Sequence, residues 1–159
     1  MAQALDKQIE ELLQNGRSKQ SIFNKLKDTD NRAKLIFFLN NKSLVARRKD
    51  NMWINLVLAA MLLGMTLKRL LAISATSHFD FYLLFDFIVP TINFYILREL
   101  LLFQRTGYQF LAILTGLALI IYQENRVLPD LPINICMIGL AVFLYYRMFP
   151  KEELLTLKT

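Results

Sequence analysis

The chain has 159 residues, of which 55% are hydrophobic and 20% charged, with a mean hydropathy of +0.34. That balance excludes an ordinary soluble domain and points to a polytopic membrane protein. The net charge of +6 is uneven: residues 1–50 hold eleven basic and six acidic side chains, and the remainder holds eight and seven.

The basic segment comes first. In "LDKQIEELLQ" the residues Leu5, Ile9, Leu12 and Leu13 recur at helical spacing. "NG" at 15–16 is a helix stop, with Gly16 free to take a left-handed conformation. Ser18 is an N-cap for a second helix whose apolar face is Ile22, Phe23 and Leu26. "DTDN" marks the next break, and "NRAKLIFFLNN" presents Leu35, Ile36, Phe38 and Leu39. These three short helices have too small a core to stand alone, so the head is expected to lean on the membrane, a second copy or a partner. Its charge suits anionic headgroups at the inner face, through Arg47, Arg48 and Lys49, or a cytosolic protein. A helix-turn-helix reading of residues 18–41 makes nucleic acid a disfavoured third partner, since charge alone is its warrant.

"ARRKDN" at 46–51 reads as a basic stop before the first apolar span, which begins at Met52 and Trp53 and is apolar through Leu67. No signal-peptide core lies in the first fifty residues, so this span is expected to serve as the insertion signal. Its sixteen residues reach about 24 Å, so the helix should continue past Lys68 and Arg69, whose stems can reach the surface. Further spans are expected at 79–103, 108–122 and 132–149, the last two forming a hairpin around "QENRVLPDLP". Basic residues then favour both termini on the cytoplasmic side, with Lys68, Arg69 and Arg126 counting against. The expected fold is all-α: a cytosolic head (1–50), a four-helix integral membrane bundle (51–150) and a short tail (151–159). The expected location is a bacterial inner membrane.

The second span carries Asp86, Pro90 and Asn93 at i, i+4, i+7, hence on one helix face. An acid on so short a stem needs the bundle interior, water or a partner. Pro90 would free the carbonyl of Asp86 and kink the helix. The face is read as interhelical bonding or surface exposure first, and as an ion pathway second. Arg98 and Glu99 point about 100° apart and should not pair well with each other. With Arg105 they form a candidate coupling between head and bundle. Ala60 with Gly64, Ala112 with Gly116, and Gly139 are small residues suited to close helix packing, within one chain or between copies.

Catalytic signals are weak. The lone Cys136 excludes an intrachain disulfide, a Cys-based metal site and a thiol oxidase that needs paired cysteines. His78 and Asp80 are too few for a metal site. There is no G-x-S-x-G, no H-E-x-x-H and no Gly-rich phosphate loop. The sequence therefore favours a non-catalytic assembly or interaction subunit, without cofactor or metal. The alternative is a small homo-oligomeric channel or transporter with Asp86 and Asn93 along its pathway; a lipid-acting enzyme is a distant third.

Overall fold

The computed structural model describes residues 2–26, 32–75, 86–121 and 130–155. It is all-α, with seven helices and no strand among the described residues. Helices α1 (Ala2–Gln14), α2 (Lys19–Leu26) and α3 (Arg32–Asn41) make the head. Helices α4 (Val45–Ser74), α5 (Ile88–Leu101), α6 (Arg105–Ile121) and α7 (Leu131–Met148) make a bundle. A 3-10 turn, Lys151–Glu153, follows α7.

The head folds as its pattern dictates. Ile9, Leu13, Ile22, Leu35 and Leu39 are buried against one another. Gly16 ends α1 with φ of 74°, and its N–H and that of Arg17 bond the carbonyls of Leu13 and Leu12. The Oγ of Ser18 accepts from the N–H of Ser21, which caps α2. The small core is completed by Leu44 and Val45 at the start of α4 and by Leu155 of the tail. The head thus leans on its own bundle.

The bundle closes as a ring: α4 packs on α5 and α7, and α6 packs on the same two. Leu58 and Leu62 of α4, Ile96 and Leu100 of α5, Tyr108 and Leu111 of α6, and Ala141 and Leu144 of α7 form its core. Large apolar side chains also cover the outside of all four helices, among them Leu56, Tyr95, Ile113 and Phe143. By length and composition α4 and α7 can cross a membrane. At 14 and 17 residues, α5 and α6 are shorter.

Two expectations change. "ARRKDN" is not a stop: α4 starts at Val45 and runs through it for 30 residues, about 45 Å. Nothing in that stretch breaks a helix, and Arg47 and Arg48 find carboxylate partners instead of ending it. The helix does continue past Lys68 and Arg69. Pro90 makes no mid-helix kink, because it sits in the first turn of α5, where its missing N–H costs no helical bond. The start of the expected second span, with His78 and Asp80, and most of the α6–α7 connection lie outside the described residues.

Candidate functional site

The head meets the bundle through side-chain amides. Lys42 and Gln104 bridge the end of α3 to the α5–α6 turn. Asn41 Nδ2 donates to Gln104 Oε1 at 2.8 Å, while its Oδ1 accepts from the N–H of Thr106 at 2.9 Å. The second bond satisfies an otherwise orphaned donor in the first turn of α6. Asn40 pairs with the backbone of Leu155 in both directions, Nδ2 to the carbonyl at 2.8 Å and Oδ1 from the N–H at 2.9 Å. Ser43 Oγ donates to the carbonyl of Phe103 at 3.3 Å. Phe103 holds φ of 53°, a left-handed conformation that lets the turn double back. Behind it Gly107 lies so close to α5 that an added Cβ would sit 2.8 Å from the Glu99 Cβ and 3.0 Å from the Leu100 nitrogen.

Ion pairs reinforce this junction. Lys42 Nζ lies 3.1 Å from Asp6 and 2.9 Å from Glu10, and Arg48 also grips Glu10. Burial pushes the Glu10 carboxyl up, but the bonds and charges of Arg48 and Lys42 outweigh it and hold Glu10 below the usual carboxylate value. Arg47 reaches Glu153 at 2.6 Å and the carbonyl of Arg147 at 2.9 Å. Arg47 and Arg48 thus hold carboxylates within the chain, since a guanidinium fork beside a carboxylate is satisfied there first. Lys49 is exposed.

Lys19 is different. It is 4% exposed, its Nζ has no hydrogen-bond partner among the described residues, and it lies over the Phe149 ring at 5.7 Å from the centroid. Burial depresses its pKa to about 8. Glu153 opposes that shift, while Arg105, Arg48 and Arg47 add to it. Asn51 Oδ1 and Glu153 Oε2 are likewise buried without partners among the described residues.

Within the bundle several polar groups point inward. Asn55 Nδ2 donates to the carbonyl of Leu100 at 2.9 Å, and Tyr108 Oη donates to Asn55 Oδ1 at 2.6 Å. Asn93 Nδ2 donates to Thr66 Oγ1 at 3.1 Å. At the end away from the head, Lys68 meets Asp130 at 2.5 Å.

The expected site residues thus separate. Pro90 is buried and Asn93 half-buried, whereas Asp86 is exposed and does not join them. Arg98 does pair with Glu99, at 2.9 Å, because its long stem curls over the helix to its neighbour. Glu99 is buried and also accepts from Thr106 Oγ1 at 3.0 Å. Arg105 donates to Tyr145 Oη and stacks on that ring at 5.2 Å. The hydrogen bonds and ion pairs of all three stay inside the bundle; the coupling to the head belongs to the flanking residues Phe103, Gln104 and Thr106. Gly64, Gly116 and Gly139 have open space where a Cβ would go, and Ala60 is exposed, so they are not packing points within the chain. Ala112 is partly buried against the core. Ala59, Ala141 and Gly107 fill the close-packed positions instead. Comparison with protein-family models, curated proteins and solved structures finds no match.

Proposed function

We propose that α4–α7 sit in a bilayer as a four-helix unit and that the chain is a non-catalytic interaction subunit. Its head docks a cytosolic partner or the anionic inner face. The observation that supports this reading is the inverted polarity of the bundle: Leu56, Tyr95, Ile113 and Phe143 face out, while Asn55, Thr66 and Glu99 are buried. Water would favour the reverse; hydrocarbon favours this order, because polar groups must find partners inside. The head follows the aqueous rule. Its exposed charges are mostly basic, Lys7, Arg17, Lys25, Lys34 and Lys49, since Glu10 is consumed by Lys42 and Arg48.

A bacterial inner membrane with both termini cytoplasmic fits this reading, as head and tail lie together at one end of the bundle. Ala60, Gly64 and Gly139, on outward faces, leave room for a second copy. The test is alkaline carbonate extraction of membranes carrying the chain, followed by photo-crosslinking from position Gln20. The chain should stay in the membrane pellet, and reversing Lys7, Lys25 and Lys34 to Glu should abolish the crosslink. Extraction by carbonate refutes the membrane reading; an unchanged crosslink refutes the docking reading. A homo-oligomeric channel is the second reading, favoured by the inward polar pair of Asn93 and Thr66. It is lost if liposomes holding the protein pass no ions.

A further inference from the structure

The end of the bundle away from the head holds a cavity of about 620 Å³, bounded by all four bundle helices. Its walls are chiefly aliphatic: Leu62 and Met65 of α4, Ile96 of α5, Leu114 of α6 and Met137 of α7. Asn93 and Asn134 add isolated polar points, and Lys68, Arg69 and Asp130 stand at one end. The space is half open, since Val89, Ile92, Leu117 and Ala118 along it are exposed. Its volume lies within the roughly 300–1,000 Å³ range of ligand sites, and its mostly apolar lining with a few fixed polar groups has the chemistry of a binding cleft.

The charges define the occupant. Lys68 and Asp130 neutralise one another at 2.5 Å. Arg69 makes no ion pair with a carboxylate among the described residues, so among these residues its guanidinium is the one charge at the cavity left without an opposite partner beside the aliphatic lining. We propose that this cavity binds an anionic phospholipid, one acyl chain lying between α4, α5, α6 and α7 and the phosphate held by Arg69. The proposal rests on the membrane reading given above, which brings the lipid to the cavity. Guanidinium suits the phosphate because it offers paired donors and sheds water readily. The aliphatic wall suits the chain, which would otherwise leave the lining without contacts.

Native mass spectrometry of the full chain in detergent tests this, with phosphatidylglycerol, phosphatidylcholine, a free fatty acid and inorganic phosphate added in turn. One phosphatidylglycerol should be retained, about tenfold more tightly than phosphatidylcholine, because both lipids offer the phosphate but the choline cation cancels the net charge and is repelled by Arg69. Neither the fatty acid nor phosphate alone should match it. Leu114→Trp fills the cavity and should abolish the adduct; Ala118→Phe is the second filling variant should the first fail to fold. Arg69→Gln should keep an adduct but lose the preference for phosphatidylglycerol. Equal binding of both phospholipids, equal binding of fatty acid or phosphate alone, or an adduct indifferent to both filling variants would overturn the proposal. A chain that resists carbonate extraction yet retains no lipid refutes this site alone; a chain that carbonate extracts refutes the membrane reading beneath it.

Discussion

Replacing Lys19 with Met should stabilise the docked head. Lys19 is almost fully buried with no acceptor for its ammonium, and its pKa falls from an ordinary 10.5 to about 8. Each unit of that fall is worth about 1.4 kcal/mol, so ionised Lys19 costs the folded state about 3 kcal/mol at neutral pH. Methionine has a similar length, packs against Phe149 and brings no charge. It gives up the ammonium's attraction to the ring, about 0.5–2 kcal/mol. The expected net gain is therefore about 1–3 kcal/mol. The folded value lies below the unfolded one, so the unfolded chain holds more protons between pH 8 and 10.5. Wild-type stability should therefore rise with pH across that window, and the contribution is constant below it. Hydrogen exchange of the α1–α3 amides, followed by mass spectrometry at pH 7, reads the opening free energy of the head. Lys19→Met should slow it by about tenfold or more, each tenfold being about 1.4 kcal/mol. Thermal melts from pH 7.5 to 10 should rise for the wild type and stay flat for the variant. A variant that opens faster at pH 7, or a wild type whose melt ignores pH in that range, would refute the unpartnered burial of this lysine.

Gly107→Ala should destabilise the bundle by about 1–3 kcal/mol, as overpacking does, because α5 must yield around Glu99. Gly64→Ala, with open space at its Cβ, is the control, and both are read by thermal melting in detergent. Tyr108→Phe should cost about 1–2 kcal/mol in the same assay, since it strands the buried Asn55 Oδ1. The Glu10 carboxyl is held down by Arg48 and Lys42, so its contribution is complete above the ordinary glutamate value and lost as pH falls through the lower folded one. Amide exchange in α1 should therefore accelerate on acidification, and Glu10→Gln should remove that step while leaving α1 looser at pH 7.

Regular elements were legible because their signals are local. The spacing of Ile9, Leu13, Ile22, Leu35 and Leu39, the stop at Gly16 and the cap at Ser18 need only neighbouring residues. The junction was not legible. Asn40 and Leu155 are 115 positions apart, and a paired amide leaves no periodic trace. The run from Met52 to Leu67 reads as apolar if its residues are averaged, yet it contains Asn55 and Thr66. A helical projection separates them: Asn51, Asn55, Leu58, Leu62 and Thr66 share a face, and that face is the buried one. Asp86, Pro90 and Asn93 share a face in projection too, but only the last two reach the interior, because Asp86 precedes the start of α5. Projection holds only where the helix is continuous, and the sequence does not mark that boundary.

The buried polar face of α4 explains how the four helices choose one arrangement. On the bilayer reading proposed above, burying Leu against Leu gains little over burying it against lipid, so apolar contacts alone would barely distinguish one rotation of α4 from another. Polar partners do distinguish them. Asn55 reaches Leu100 of α5 and Tyr108 of α6, Thr66 reaches Asn93 of α5, and Lys68 reaches Asp130 beside α7. Each tie has α4 at one end. Turning α4 by one residue, about 100°, would carry Asn51, Asn55 and Thr66 off the interior together and leave Tyr108 and Asn93 unpaired within it. Several small penalties then fall at once, and one register survives. The same helix begins in the head with Arg47 and Arg48, whose ion pairs to Glu153 and Glu10 fix its other end. Head, tail and bundle are thus aligned by a single rod whose rotation is set by polar side chains, while its aliphatic residues set only how closely the helices lie.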